Sequence, residues 1–429
     1  MTTATLDFDN FTLTKDQQSA LDKFNMFLMD PVETVFVLEG YSGCGKSTLV
    51  RTLLDRLNGF QKTARLINPG YKDYLPELTA TTNKAAENLA KITGMDVKTT
   101  QSFLGLRVDY NPRTNESRLI ARPNFTAPEH VLLFIDEASF VDKDLLGQVF
   151  TRTKNSKVVF IGDPAQLAPV KSIGTPVFSA GFSGAALTEV VRQPKLEGGL
   201  ADVHPIVAWS EKLRITVGTG NWTAFSPDGH HVCRLNRVDF NAAIEREFTR
   251  ADWRYQDSKI LGWTNKCVIG YNQYVRGLAK GDPHFQVDDY AVCNSFLQSG
   301  KMSIKTDQLV HITAIEPDCE YYGVAGNWVT VDYVVRAFQP KSLAEKNARN
   351  KKARNDEHFQ LVNEIENSWI DLRGAYACTI NKAQGSTFDA VFIDLDDVGR
   401  CNSGDQLARM LYVAVSRARN HVYLTGDLA

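Results

Sequence analysis

The sequence predicts an α/β protein that is built on parallel sheets. Short apolar runs recur along the 429 residues, and small or polar residues follow each run. Such runs are typical of parallel strands that are covered on both faces. Helical patterns lie between them, and in one of these Leu49, Val50, Leu53, Leu54 and Leu57 share a face. The chain is too long for one core, and its strands suffice for two sheets.

Six apolar runs are interpreted as strands of these sheets. They are residues 34–39, 77–81, 130–137, 157–163, 258–264 and 389–395. Two regions break the alternation. Residues 105–128 are interpreted as a small hairpin, because strand-like segments flank the turn-prone sequence NPRTNES. Strand-like pieces within residues 280–374 are typical of a small β-barrel.

A charged segment, residues 341–355, lies in the barrel region and carries six Lys or Arg and one Glu. It leads into Phe359, Val362, Ile365 and Trp369, which are spaced as one helical stripe. Either the stripe packs on its own domain beside a solvated helix, or it forms a dedicated partner surface. We favour the first interpretation.

The composition is that of an ordinary soluble globular protein, with 43% hydrophobic residues and a formal net charge of −2. A nucleic-acid partner is compatible with this balance if the basic surface is local. The seven cysteines include no C-x-x-C pair, which favours reduced thiols in a cytosol-like compartment. The N-terminus is acidic and no apolar run approaches roughly 18 residues, so we expect neither a secretory signal nor a membrane span.

The segment GYSGCGKS, which begins at Gly40, matches the phosphate-binding pattern G-x-x-x-x-G-K-[ST] between an apolar strand and a helix. Gly40, Gly43 and Gly45 would let backbone N–H groups face the phosphates. Lys46 would balance the charge of the β and γ phosphates, and the Ser47 hydroxyl would bind Mg²⁺. These residues predict a site for a nucleoside triphosphate with Mg²⁺.

Cys44 lies within this loop, beside Lys46. Backbone amides and the lysine would both lower the pKa of its thiol and make it reactive. The alternative, which we favour, is that Cys44 is a small residue that fills space.

Further polar residues follow other apolar runs. Asp136 would hold Mg²⁺ through water, and Glu137 could accept a proton from the attacking water. Gln166 lies beyond the end of another strand, where it could sense the γ-phosphate. Arg192 and Arg417 could stabilise charge in the transition state. Because Arg417 is remote from the loop in sequence, we expect a second domain to supply it, so that hydrolysis opens and closes a cleft.

Six segments appear in the order seen in superfamily 1 helicases: GYSGCGKS, IDEAS, GDPAQLAPV, LTEVVRQ, TINKAQGST and LYVAVSRAR. The chain most resembles the 5′-to-3′ RecD/Dda-like branch, which includes the Dda helicases of T-even bacteriophages. The likeness extends from Leu13 to about Leu424. A GTPase is disfavoured, because Cys267 in TNKC stands where the guanine-reading N-K-x-D motif has Asp.

The resemblance implies two RecA-like P-loop domains, with a hairpin pin inserted in the first and an SH3-like β-barrel in the second. The first domain would comprise residues 1–104 and 129–186, and the pin, which would split the duplex, residues 105–128. The second domain would comprise residues 187–279 and 375–429. The barrel, with a charged helical extension, would comprise residues 280–374.

The resemblance also implies residue roles. Gln17 would read the adenine base, and Cys44, Thr48 and Gly385 would contribute to the nucleotide site. The implied contacts to single-stranded DNA are Thr82, Lys84, Thr99, Thr264, Asn265, Thr379 and Lys382. Hydroxyl, amide and lysine groups suit phosphate and sugar contacts, which position a strand without reading its sequence.

The resemblance implies an ATP-dependent motor that moves 5′ to 3′ along single-stranded DNA and unwinds duplex at a fork. It further implies a monomer in the cytoplasm of a bacterium or phage-infected host, serving replication or recombination. A single-strand-binding protein or a replisome component would be its protein partner. Two alternatives stay open: a superfamily 1 RNA helicase, because contacts to the 2′-hydroxyl are not visible in sequence, and a nucleotide-switched clamp that does not travel.

Overall fold

The computed structural model describes residues 12–111, 116–168, 174–193, 203–299 and 302–428. The chain forms two compact units. The first comprises residues 1–106 and 121–207, and the second comprises residues 107–120 and 208–429. Within the described ranges, no helix combines the length and apolar character that a bilayer crossing requires.

Eight strands and six helices are described up to residue 193. The strands are β1 (Val35–Gly40), β2 (Leu75–Ala80), β3 (Val97–Thr99), β4 (Leu106–Asn111), β5 (Glu116–Ala121), β6 (Val131–Asp136), β7 (Lys157–Gly162) and β8 (Gly184–Leu187). The helices are α1 (Lys15–Met29), α2 (Lys46–Ile67), α3 (Asn83–Thr93), α4 (Thr100–Phe103), α5 (Lys143–Thr151) and α6 (Pro176–Ser179), with a 3₁₀ turn over Ala138–Phe140.

The first unit is built on a six-stranded sheet with the order β3-β2-β6-β7-β1-β8, in which all neighbours are parallel. Four of the six predicted runs form strands of this sheet. The apolar face of α2 is buried as predicted, at Leu49, Val50, Leu53 and Leu57. These side chains share one core with Phe residues of α1 and of the sheet, and this packing places the start of α2 at the carboxyl edge of the strands.

Twelve further strands and eight helices are described from residue 203 onward. The strands are β9 (Val232–Arg234), β10 (Ser258–Gly262), β11 (Tyr290–Cys293), β12 (Leu297–Ser299), β13 (Met302–Ile304), β14 (Leu309–Tyr321), β15 (Val324–Val331), β16 (Val335–Pro340), β17 (Leu372–Arg373), β18 (Ala377–Thr379), β19 (Phe388–Asp394) and β20 (Ala418–Thr425). The helices are α7 (Pro205–Thr219), α8 (Arg237–Phe248), α9 (Asn265–Lys280), α10 (Leu343–Asn355), α11 (Phe359–Asn367), α12 (Ile380–Ala383), α13 (Leu395–Val398) and α14 (Gly404–Ser416).

The second unit contains a parallel sheet with the order β18-β10-β19-β20-β9. The two remaining predicted runs form β10 and β19. If the strands of each sheet are ranked by their place in the chain, five neighbouring strands of both sheets follow the same order, third, second, fourth, fifth, first. In this ranking β9 corresponds to β1, β10 to β2, β18 to β3, β19 to β6 and β20 to β7.

Antiparallel strands occupy the region between β10 and β18. Five of them form the sheet β16-β15-β14-β11-β17, and β12 pairs with β13. The strands β4 and β5 form a separate two-stranded sheet within the predicted hairpin. Part of that hairpin, residues 112–115, lies outside the described residues.

The stripe that follows the charged segment packs on its own unit. Val362, Ile365 and Trp369 are buried in a cluster with Phe338 and Ala353. The basic helix α10 therefore covers this cluster with Ala353, and three of its six charged residues, Glu345, Lys351 and Lys352, are exposed. This agrees with the first of the two interpretations.

A charged pocket of about 350 Å³ lies at the carboxyl edge of the second parallel sheet, lined by residues 234–237 and 425–427 and by Asp396. The Arg237 guanidinium donates hydrogen bonds to Asp394 at 2.7 and 3.1 Å and to Asp396 at 2.5 Å. These bonds raise the pKa of Arg237 further above its usual range. Burial opposes ionisation of Asp394, but the hydrogen bonds from Arg237 and Tyr271 lower the pKa of Asp394.

Gly105 at the base of the β4–β5 hairpin should resist substitution for two separable reasons. Its φ is +63°, and a Cβ there would lie 2.1 Å from the Phe125 ring. Gly94 has a similar φ of +71°, but no atom lies within 4 Å of its Cβ position. We expect Gly94→Ala to lower the free energy of unfolding by about 1 kcal/mol and Gly105→Ala by about 2–4 kcal/mol. Urea denaturation of both variants measures the difference, and equal losses would show that the Phe125 contact is unimportant.

Candidate functional site

The candidate nucleotide site lies where β1 is followed by α2. Gly43 and Gly45 have φ angles of +85° and +81°, a left-handed conformation that favours glycine. A Cβ on Gly40 would approach the Cys44 Sγ to 2.5 Å, and one on Gly43 would approach the Arg192 Cβ to 2.9 Å. The loop therefore needs its glycines both for conformation and for space.

Lys46 is the first residue of α2, and its side chain folds back over the loop. Its Nζ donates to the carbonyl oxygens of Gly40 at 2.8 Å and Tyr41 at 2.9 Å. Ser47 and Thr48 follow in the first turn and are half-buried. The N–H groups at the start of a helix have no partner within the helix, and those of this turn, together with the ammonium group, favour a phosphate.

Cys44 is buried, with 1% of its surface exposed. Burial raises the pKa of its thiol, although Lys46 opposes this. The expectation of a lowered pKa was therefore wrong, because the cost of desolvating a thiolate exceeds the attraction of one lysine. Cys44 acts as the small filling residue, with its sulfur packed beneath Gly40.

Gln17 reaches the loop from α1. Its Nε2 donates to the Cys44 carbonyl at 3.3 Å, and its Oε1 accepts from the Thr14 amide at 3.0 Å. The second bond belongs to a capping box at the start of α1. Gln17 is fully buried, so the structure places it as a support under the loop. One N–H and one lone pair of its amide are left for a base, and that role stays a prediction.

Arg192 also meets the loop, from the segment after β8. Its amide donates to the Gly43 carbonyl at 3.1 Å, and its Nη1 donates to the Ser42 Oγ at 3.4 Å. The structure thus brings together an arginine and a phosphate loop that are far apart in sequence. This position suits a group that stabilises charge on a bound phosphate.

The carboxylates lie at the same edge of the sheet. Asp136 ends β6, which is separated from β1 only by β7. Burial raises the pKa of the Asp136 carboxyl. The hydrogen bond from the Glu137 amide to its Oδ1, at 2.8 Å, and the charge of Lys46 oppose this increase without cancelling it. Glu137 has a φ of +54°, an uncommon conformation outside glycine that is found where a site fixes its geometry. Gln166, which follows β7 in the chain, is buried.

The four threonines with predicted DNA contacts share one structural position, because each caps the N-terminus of a helix. Thr82 caps α3, Thr99 caps α4, Thr264 caps α9 and Thr379 caps α12, each accepting an N–H of the first turn at 3.2–3.4 Å. The first pair follows the neighbouring strands β2 and β3, and the second pair follows β10 and β18. Equivalent edges of the two sheets therefore carry equivalent pairs of threonine caps.

The two longer helices of this set begin with the same three residue types. The cap and the first two helical residues are Thr-Asn-Lys both at α3, from Thr82, and at α9, from Thr264. Lys266, which is exposed, thus corresponds to Lys84. The sequence analysis did not select Lys266, although the repeated tripeptide after a strand was a usable signal.

Three residues that the sequence analysis missed hold the predicted DNA contacts of the second unit. Asp397 accepts from the Trp263 amide at 2.6 Å, the Thr264 amide at 3.0 Å and the Thr264 hydroxyl at 2.6 Å. Because the only hydroxyl proton of Thr264 is donated to Asp397, it is not offered to a phosphate. Arg373 binds Asn265 (Nη1 to Oδ1, 2.7 Å), and Asp307 binds Lys382 (Oδ1 to Nζ, 2.7 Å).

Arg417 binds the residue that follows Gly385, within the second unit. Gly385 has a φ of +73° in the turn after α12. Arg417 is 2% exposed, and its guanidinium donates to the carbonyls of Ser386 at 3.3 Å and Val413 at 3.1 Å. The structure thus groups the two residues, and their approach to a nucleotide stays a prediction.

The contact between Gly40 and Cys44 generates a prediction for nucleotide binding. Gly40→Ala should weaken binding of a fluorescent ATP analogue by about tenfold or more, because the added Cβ displaces the loop. Cys44→Ala should change the dissociation constant less than about twofold, since it removes a filling atom only. The double variant should recover most of the lost affinity. If the double variant binds as weakly as Gly40→Ala, the sulfur contact is not the cause.

Two family models match the chain: an AAA domain over residues 12–206 and a UvrD-like helicase C-terminal domain over residues 374–425. The ATP-dependent RecD2 DNA helicase of Deinococcus radiodurans is 26% identical over 232 residues, covering 52% of this chain and 28% of that protein. The RecBCD enzyme subunit RecD of Buchnera aphidicola is 28% identical over 155 residues, covering 33% of this chain and 24% of that protein. The chain thus spans about a quarter of the length of these curated relatives.

A solved structure of two coordinating Pif1 helicases, which concerns DNA unwinding at forked duplex DNA, is similar in fold. Its TM-score is 0.50 at 17% identity, and the match covers 98% of this chain and 93% of that chain. The likeness concerns the parallel sheets, which resemble the RecA-like domains of Pif1. The two family models and the RecD relatives thus support the resemblance to superfamily 1 helicases of the RecD branch, and the Pif1 structure shows a similar fold.

Proposed function

We propose that this protein is an ATP-dependent DNA helicase that travels 5′ to 3′ along single-stranded DNA and separates duplex at a fork. One observation carries the proposal: equivalent edges of the two parallel sheets present equivalent threonine caps, whereas among the described residues a phosphate loop follows a strand of the first sheet alone. A protein that steps along a strand requires two similar strand-binding sites and one site for ATP. The RecD2 relative is named as an ATP-dependent DNA helicase, which supports DNA over RNA.

ATP would bind on the loop between β1 and α2. The tight contacts around Gly40, Gly43 and Gly45 leave the backbone N–H groups as the natural ligands of its phosphates. Ser47 and Asp136 supply one hydroxyl and one carboxylate, a donor set that fits Mg²⁺ when phosphate oxygens complete its shell. When bound, the ion neutralises part of the phosphate charge.

The remaining nucleotide roles belong to this chain's own side chains. Glu137 would accept a proton from the attacking water, and Gln166 would respond to the γ-phosphate. Arg192, already against the loop, would stabilise the developing charge. Arg417, supported beside Gly385, would come from the second unit and make hydrolysis depend on the positions of both units.

The DNA strand would be held by helix N-termini and lysines of both sheets. The helices α3 and α9 direct N-terminal amides, with Lys84 and Lys266 in their first turns, toward a phosphate. Thr99, Thr379, Asn265 and Lys382 would add neighbouring contacts. None of these groups selects a base, so we expect binding that is independent of sequence.

The insertions complete the proposed motor. We assign the pin to residues 105–128 and an SH3-like barrel to residues 280–374, with RecA-like domains in residues 1–104 with 129–186 and in residues 187–279 with 375–429. The strands β4 and β5 support the first assignment, and the antiparallel sheet supports the second. We further propose a monomer that acts in replication or recombination, with a single-strand-binding protein or a replisome component as partner.

Tailed duplexes test the proposed function. We expect ATP-dependent unwinding of a DNA duplex with a 5′ single-stranded tail, at least about tenfold faster than one with a 3′ tail, and no unwinding by Lys46→Ala, whose loop lacks its cation. Equal activity on matched RNA would favour an RNA helicase. DNA-stimulated ATP hydrolysis without unwinding of either duplex would favour a clamp.

Deletion of residues 108–122 tests the pin. The deletion removes most of β4 and β5 but none of the proposed ATP or DNA contacts. We expect DNA-stimulated ATP hydrolysis to persist within about twofold, because those contacts carry the coupling, and duplex unwinding to be lost. Thermal unfolding of the variant controls for its folding. Strand separation at the wild-type rate would contradict the assignment.

A further inference from the structure

Lys382 is engaged by the antiparallel region. Its Nζ donates to the Asp307 Oδ1 at 2.7 Å and to the Asn294 carbonyl at 3.1 Å. Asn294 follows β11, and Asp307 lies in the turn between β13 and β14. A lysine on one side of the proposed DNA surface is therefore neutralised by a carboxylate from a segment that the helicase motifs do not include.

The position of Asp307 is fixed by its backbone. Its φ is +65°, a left-handed conformation that few residue types adopt readily, and Asp is among them. Its amide donates to the Cys293 carbonyl at 2.7 Å, and the next residue, Gln308, accepts from the Lys305 amide at 3.0 Å. The backbone of Asp307 and the side chain of Gln308 thus hold the turn in a defined position, from which the Asp307 carboxylate reaches Lys382.

An arriving phosphate would compete with this carboxylate. The ammonium group has three protons, and two are donated within the protein. A phosphate that took the third would lie close to Asp307, and two anions around one ammonium repel each other. The side chains of Lys382 and Asp307 are 28% and 31% exposed, so water reaches the pair and exchange of partners is accessible.

Asp397 provides the contrast within the same unit. It is 5% exposed and accepts three hydrogen bonds from Trp263 and Thr264. A carboxylate with these partners fixes the start of α9, and it cannot leave without exposing three donors. Asp397 therefore positions residues of the proposed DNA surface. Asp307, in contrast, lies where a phosphate could displace it from Lys382.

We propose that Asp307 is a competing carboxylate that holds Lys382 in the DNA-free protein and must yield it to a strand phosphate. This inference rests on the proposed function, because it takes Lys382 as a DNA contact. The competition lowers the affinity of the second unit for the strand, and an easily reversed contact is what a translocating protein requires. Asp307 thus sets how readily Lys382 releases the strand.

Substitution of Asp307 in the full-length protein tests the proposal. Asp307→Asn and Asp307→Gly both suit a φ of +65° and remove the charge. We expect each to bind a labelled oligothymidylate about three- to tenfold more tightly at low salt.

A second ion pair of the same antiparallel region serves as the matched control. Lys341 and Asp318 form an exposed pair at 2.5 Å that has no proposed part in DNA binding. Asp318→Asn also removes one negative charge, and we expect it to change affinity less than about twofold. An equal gain from Asp318→Asn would overturn the proposal, because general charge would then explain the effect.

Lys382→Met separates this inference from the proposed function. We expect it to weaken DNA binding, and we expect Asp307→Asn to have no effect in the Lys382→Met background. If Lys382→Met weakens binding but neither Asp307 variant strengthens it, the competing role fails and the proposed helicase stands. If Lys382→Met leaves affinity unchanged, the competing role fails together with the assignment of Lys382 as a DNA contact.

Discussion

The helix N-terminus that follows a parallel strand is the constraint on which both candidate sites depend. A parallel sheet brings the carboxyl ends of its strands to one edge, and each following helix begins there with unpaired N–H groups. At β1 those groups are shaped into a loop by Gly43 and Gly45. At the strands before Thr82 and Thr264 they are capped by a hydroxyl. The same edge of a parallel sheet can therefore form a candidate nucleotide site or a candidate DNA contact, and a few residues decide which.

Much of this arrangement could be predicted from sequence because it is local. The six apolar runs all form parallel strands, and the phosphate loop lies in the predicted strand–loop–helix context. The burial of Leu49, Val50, Leu53 and Leu57 followed from helical periodicity. In each case the signal lay within a few consecutive residues, where backbone conformation and side-chain spacing are directly coupled.

The parts that sequence did not indicate depend on contacts between distant segments. Asp397 lies 133 residues from Thr264, and Asp307 lies 75 residues from Lys382. No pattern around these acids marks them as partners. The pKa of Cys44 was misjudged for a related reason, because neighbours in sequence suggested a stabilised thiolate, whereas burial in the folded core decides its ionisation. The contact of Gln17 with the Cys44 carbonyl, 27 residues away, was likewise not indicated by sequence.

The pocket around Arg237 has a consequence for how much ATP the proposed motor would use. Arg237 begins α8 as Lys46 begins α2, and Asp394 ends β19 as Asp136 ends β6. In the second sheet, however, the cation is already bound to Asp394 and its neighbour. A site whose cation is already neutralised by carboxylates of the protein does not need a triphosphate. Under the proposed function, one copy of the chain would then hydrolyse one ATP per cycle. The work done in each translocation step would be limited to the free energy of that one hydrolysis.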